Sequence, residues 1–282
     1  MKAINFISIV TLLLFCPFSL KGQNTINEGI FKPLVQDFTN DDSWVIYSKF
    51  YRNDPNQTVL YHQPSHKIIS SLSQNARFFN QDEIVQFKKD SLSIKTINLE
   101  DLFSISDVIK YELWLNKTEI IAQTKQNEVL FIDGHKKIWN QFSNVVNYEI
   151  DRHSEKILVT TNEKNDDVNT FNLFYVDGSS KQSTKIGSFT TQPQVLNWGN
   201  NNNRFLIRVE NKVYWYKSPT STPIITTLSL QVGQTLKLIK TFISHDDELV
   251  YFIYYTFDEK NKKRKVKLKS GKTMIYTWKR RT

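Results

Sequence analysis

The five histidines are the residues of this 282-residue chain with the most obvious potential for chemistry. His62 and His66 are four residues apart, which suits a metal ion on a helix, but Pro64 between them argues against a helix. His153 and His245 stand in short polar segments typical of turns. The acidic run at 163–167 lacks the alternating oxygen ligands and the glycine of a calcium loop. We therefore expect no metal site.

Covalent catalysis is not indicated either. A serine hydrolase of the α/β class needs a Gly-x-Ser-x-Gly turn, and the segments that begin at Gly178 and Gly187 do not fit that pattern. No glycine-rich phosphate loop occurs. These observations predict a protein that is not an enzyme, without catalytic residues and without a cofactor.

Two groups of residues are candidates for binding. Tyr214, Trp215 and Tyr216 are consecutive, so they alternate between the faces of a strand and provide either packing between sheets or a stacking surface for a sugar or peptide. The segment 260–282 holds 11 basic residues and no acidic ones. Its lysines either protect an edge strand or form a patch for an anionic partner. The patch would consist of Lys262, Lys263, Arg264, Lys265, Lys267 and Lys269.

Residues 1–22 have the pattern of a secretory signal peptide. Lys2 precedes an apolar run, and Gly22 is a small residue before Gln23. A membrane anchor and lipid attachment at Cys16 are the alternatives. Cleavage after Gly22 removes Cys16, the only cysteine, and leaves 35 basic against 28 acidic residues, a net charge of +7. We expect a secreted or periplasmic protein with no transmembrane segment in its mature chain.

A repeated unit organises the rest of the chain. An aromatic residue leads through a polar turn into a run of β-branched and aromatic residues, as from Trp114 to Ile120. The lead aromatics lie 34 to 50 residues apart, close to the period of a four-stranded propeller blade. They are Phe38, Phe78, Trp114, Tyr148, Trp198 and Phe242. This repeat predicts an all-β protein, a β-propeller of six or seven four-stranded blades over 23–282, whereas a plain β-sandwich does not require it.

Three local expectations accompany this fold. The best helix candidate is a turn or two within 99–109. A degenerate seventh unit within 217–241 would draw one strand from Ile224, Ile225 and Leu228. Residues 249–257, 262–269 and 272–278 would be strands of a final blade, which includes the basic hairpin 260–282.

The units resemble the propeller repeats of TolB-like and WD-type proteins and of the N-terminal propeller of the prolyl oligopeptidase family. The segments that carry this resemblance are 38–47, 130–134 and 174–178. In the prolyl oligopeptidase family the propeller precedes a hydrolase domain, and no residue here matches its catalytic triad.

The sequence thus favours an exported, non-catalytic propeller that binds or scaffolds a partner. The partner would be a protein or an envelope polysaccharide and not a nucleic acid, because the basic run forms no recognisable nucleic-acid motif. We expect the propeller to be monomeric. The alternative is a detached or catalytically dead propeller of a prolyl oligopeptidase-like serine peptidase.

Overall fold

Short runs of β-branched and aromatic residues between polar turns form 24 strands in the part of the chain that the structure describes. The computed structural model describes residues 30–51, 57–80, 82–151, 155–165, 168–199, 203–228, 234–243, 250–258, 263–270 and 275–277. Within these ranges the secondary structure is strand and turn, and no helix long and apolar enough to cross a membrane occurs.

The strands form six four-stranded antiparallel sheets, and in each sheet the strands are hydrogen-bonded in chain order. The first consists of β1 (Ile30–Phe38), β2 (Trp44–Tyr51), β3 (Gln57–His62) and β4 (Lys67–Leu72). The second consists of β5 (Arg77–Phe79), β6 (Glu83–Lys88), β7 (Ser91–Thr96) and β8 (Asp101–Ile105). The third consists of β9 (Val108–Trp114), β10 (Glu119–Thr124), β11 (Val129–Ile132) and β12 (Ile138–Phe142).

The last three sheets repeat this order. The fourth consists of β13 (Val145–Asp151), β14 (Lys156–Asn165), β15 (Val168–Asp177) and β16 (Gln182–Phe189). The fifth consists of β17 (Gln194–Trp198), β18 (Phe205–Val209), β19 (Lys212–Tyr216) and β20 (Ile224–Thr227). The sixth consists of β21 (Gln234–Ile243), β22 (Val250–Asp258), β23 (Lys263–Ser270) and β24 (Ile275–Thr277).

The sheets belong to two compact units. Residues 1–74 contain the first sheet, and residues 75–282 contain the other five. In the first unit, Val45, Tyr47 and Val59 form a small apolar cluster on one face of the sheet.

In the second unit, the second to fifth sheets pack face to face through apolar clusters. Phe79 and Leu92 of the second sheet share a cluster with Ile120 and Ile132 of the third. A further cluster joins the third sheet to the fourth and includes Phe131. Another joins the fourth sheet to the fifth. It contains, among others, Leu158, Leu173, Tyr175, Phe205 and Ile207.

Sequential four-stranded meanders stacked on one another are the blades of a β-propeller. The predicted fold class, an all-β propeller, is thus confirmed, and the described residues form six four-stranded sheets of the kind that make blades. All six lead aromatics lie in the first strand of a blade, as the repeat required.

Two local expectations were wrong. The segment 99–109 contains β8 and the start of β9 in place of a helix, because Phe103 and Ile105 alternate with exposed residues in β8 and pack against the apolar cluster between the second and third sheets. Ile224 and Ile225 belong to β20, the fourth strand of the fifth blade, and form no separate seventh unit. The three strands expected for the final blade correspond to β22, β23 and β24.

Candidate functional site

Charged residues gather at one end of the second, third and fourth blades. We call it the clasp end. It carries the turn from the first to the second strand of each blade and the turn from the third to the fourth. A charged residue opens the second strand of each of these blades: Glu83, Glu119 and Lys156. Each one directly precedes a buried isoleucine, so the strand that packs the core also fixes the position of the charge.

Lysines from the next blade reach these carboxylates. Lys136, in the turn between β11 and β12, pairs with Glu83 of the preceding blade. Lys181, in the turn between β15 and β16, lies 2.9 Å from an oxygen of Asp133 and 3.6 Å from one of Glu119, both in the preceding blade. The same arrangement therefore joins the third blade to the second and the fourth to the third.

At the clasp end, the pKa values of Glu119 and Asp133 are shifted in opposite directions. Desolvation raises the pKa of Glu119, and hydrogen bonds from Trp139 and Lys181 offset only part of that effect. Burial also acts to raise the pKa of Asp133. There, hydrogen bonds from the Lys137 amide and Lys181 outweigh burial and leave the pKa below its ordinary value.

Divergent pKa values in a carboxylate pair are one sign of acid–base catalysis. Here, however, every carboxylate oxygen of the pair has a structural partner. Trp139 Nε1 donates to Glu119 Oε2 at 2.8 Å, and the other oxygen of Glu119 faces Lys181. Asp133 Oδ1 accepts from the amides of His135 and Lys137, and its Oδ2 binds Lys181. This arrangement suits holding blades together better than transferring a proton to a substrate.

A second cluster joins the first strands of the third and fourth blades. Lys110 Nζ lies 2.6 Å from Glu112 Oε1 and 4.9 Å from the centre of the Tyr148 ring. Tyr148 donates a hydrogen bond to Glu112 at 3.1 Å. Burial, followed by the nearby charge of Glu112, raises the pKa of Tyr148 to about 12. This phenol therefore keeps its proton at neutral pH and is poorly suited to act as a base.

The predicted stacking residues lie within the fifth blade. Tyr216 is 4% exposed and stacks on Phe205 with ring centres 4.8 Å apart, and Trp215 is 8% exposed. Tyr214 is half-buried and meets Phe189 edge to face. The side chains of Trp215 and Tyr216 are thus packed inside the protein, which leaves only Tyr214 for a stacking surface.

The basic segment is described only in part. Its strand β23 pairs with β22 on one side and with β24 on the other, so it is the third strand of its blade. β24 pairs with residues 267–269, so the edge-strand interpretation was wrong for Lys267 and Lys269. Lys262 and the side chains of Lys263, Arg264, Lys265, Lys267 and Lys269 lie outside the described residues, so the anionic-partner patch stays a prediction.

The described histidines have turn roles. Nδ1 of His62 is 2.6 Å from Ser65 Oγ, and Nδ1 of His66 is 2.7 Å from the Tyr61 hydroxyl. The backbone amide of His135 donates to Asp133. His153 and His245 lie outside the described residues. Among the residues that are described, no three His, Cys, Asp or Glu side chains are grouped to hold a metal ion.

Sequence reasoning missed the clasp end. A signal was present, since a charged residue precedes the first isoleucine of the second strand at Glu83, Glu119 and Lys156. The lysines that pair with these carboxylates could not be predicted from the local sequence. They lie 53 residues from Glu83 in one case and 48 from Asp133 in the other, and they approach only when blades stack.

No protein-family model and no curated protein matches the chain. Solved structures of similar fold include Kluyveromyces lactis Hsv2, 12% identical with a TM-score of 0.42 over 80% of this chain and 74% of that one. BamB from Moraxella catarrhalis is 8% identical with a TM-score of 0.37, over 86% and 72%. The β-propeller domain of the Trilobed protease from Pyrococcus furiosus is 11% identical with a TM-score of 0.38, over 87% and 84%. The propeller assignment rests on the order and packing of the sheets themselves.

Proposed function

We propose that this chain is an exported, non-catalytic β-propeller that binds or scaffolds a partner outside the cytoplasm. One observation supports it most strongly. The carboxylate pair of Glu119 and Asp133 has all four oxygens engaged by Trp139, Lys181 and backbone amides. The charged chemistry of these blades is thus used to join them, which suits a rigid support for a binding surface.

Two further features support the proposal. The first 22 residues have the charged start, apolar run and small final residue of a cleaved signal. The charge of the mature chain is concentrated near its end, where 11 basic residues lie in 260–282. Such a concentration attracts anionic surfaces in a manner that salt weakens.

Export is tested by mass spectrometry of the protein recovered from outside the cytoplasm of the native host. We expect an amino terminus near Gln23. Recovery of exported protein that still begins at Met1 would contradict the cleaved signal, and retention of the whole chain in the cytoplasm would contradict export.

The non-catalytic role is tested with a fluorophosphonate probe, which labels an activated serine. We expect no labelling of the mature chain, with a serine peptidase treated in parallel as the positive control. Stoichiometric labelling of one serine that is lost when that serine is changed to alanine would contradict the proposal.

A further inference from the structure

The outermost strand of the fifth blade, β20, has no charged residue within it or directly beside it, unlike the outer strands of the first four blades. Edge strands usually carry charge, which prevents other strands from pairing with them. Lys67 lies in β4, Asp101 in β8 and Lys185 in β16, and Lys137 directly precedes β12. No charged residue occurs from Ser218 to Leu236, the uncharged stretch that contains β20.

Each face of β20 exposes one isoleucine. Ile224 is 49% exposed and Ile225 is 54% exposed. Since they are consecutive in a strand, their side chains point to opposite faces of the sheet. β20 is the terminal strand of its sheet, so one of its edges is hydrogen-bonded to β19 and the other is the edge of the blade.

The charge around β20 is positive. Lys212 is paired with Thr227 at one end of the strand, and Lys217 follows β19 at the other end. Between 194 and 227 there are four basic residues, Arg204, Arg208, Lys212 and Lys217, against the single acidic residue Glu210. An added strand would therefore meet an uncharged centre between basic flanks.

We propose that β20 is a docking edge for an extended partner segment with a β-branched apolar centre and acidic flanks, which adds to the fifth blade as a further antiparallel strand. Backbone hydrogen bonds would supply affinity, and contacts with Ile224 and Ile225 would supply specificity. This inference rests on the proposed binding role and names the kind of partner that it serves.

The probe is the capped peptide Glu-Val-Ile-Val-Thr-Glu carrying a fluorophore, titrated with the mature chain and followed by fluorescence anisotropy. We expect saturable binding that Ile225→Lys weakens by about tenfold or more, because the substitution removes the apolar contact that would seat the centre of the added strand. The matched control is Ile138→Lys, on the outer strand β12, where the side chain is 46% exposed. That variant should bind as the parent does.

Two further comparisons test the mode of binding. A peptide N-methylated at alternate backbone nitrogens should not bind, because it cannot complete the ladder. Lys212→Glu should weaken the acidic peptide and strengthen a version with lysine at both ends.

Absence of binding, or equal binding by Ile225→Lys and the parent, would overturn the proposal. Sedimentation that shows a dimer of the parent, abolished by Ile225→Lys, would also overturn it by naming a second copy as the occupant. These results are independent of the export and labelling experiments, so this inference and the proposed function can fail separately.

Discussion

The contact between Gly178 and Trp114 offers a sharp test of how the blades are packed. Gly178 lies in the turn after β15, and a Cβ at this position would be 2.4 Å from the Cη2 atom of Trp114 in the preceding blade. Carbon atoms pack best at about 3.5–4.0 Å, so the indole would have to move by about 1 Å. Trp114 is 6% exposed and meets Phe131 edge to face, which leaves little room for that movement.

We therefore expect Gly178→Ala to lower the free energy of unfolding by about 1–3 kcal/mol, the usual cost of overpacking a filled core. A loss of about 2 kcal/mol would lower the Tm by roughly 4–8 °C in a domain of this size. The measurement is urea and thermal unfolding followed by circular dichroism and tryptophan fluorescence.

The matched control is Gly134→Ala, in the equivalent turn of the third blade. A Cβ there would lie 3.4 Å from the Thr118 carbonyl oxygen and 3.6 Å from the Asn80 side chain, which are ordinary contacts. We expect a change within about 0.5 kcal/mol. Adding Trp114→Phe to Gly178→Ala should cost less than the sum of the two single changes, because the smaller ring makes room. Equal stability of the two alanine variants would refute the packing.

Three other predictions concern charge. Because the pKa of Glu119 is raised in the folded state, folding favours the protonated carboxyl. The free energy of unfolding of the parent relative to Glu119→Gln should therefore be highest below the ordinary pKa of 4.5 and should fall as pH rises through the raised value. Denaturant titrations across pH that show no such difference would contradict this prediction. Lys136→Met should lower the free energy of unfolding by about 1–3 kcal/mol because Glu83 keeps its hydrogen bond from Asn80 but loses the lysine that balances its charge, while Lys137→Met, at an exposed side chain, should cost far less in the same unfolding assay. Replacing the alternate lysines of β23 with glutamine should abolish binding to anionic vesicles or polysaccharide at low salt, and binding that is retained, or that the parent shows equally in 1 M salt, would count against the patch. These lysines are Lys263, Lys265, Lys267 and Lys269.

The blades could be predicted from the sequence because their signals are local. The interval from Phe78 to Ile84 and from Trp114 to Ile120 marks a first strand, a tight turn and a second strand, and all of these residues lie where the repeat places them. The helix prediction for residues 99–109 was wrong because a few apolar side chains at mixed spacing fit a short helix as well as an outer strand.

The contacts between blades could not be predicted in this way. Lys181 meets Asp133 across 48 residues, and nothing in the local sequence of either one indicates the other. The lysines of β23 suggested an edge strand, whereas the short strand β24 pairs with its second half and takes the edge. Such features depend on which strands become neighbours, and that is decided by the assembled fold.

A double-mutant cycle on Asp133 and Lys181 tests most directly whether the charged residues of the clasp end join the blades. Asp133→Asn, Lys181→Met and the combined variant are compared with the parent by urea unfolding. We expect a coupling energy of about 0.5–3 kcal/mol in favour of the intact pair, as found for residues in contact within one network. Additive effects, with no coupling between the two positions, would contradict this role.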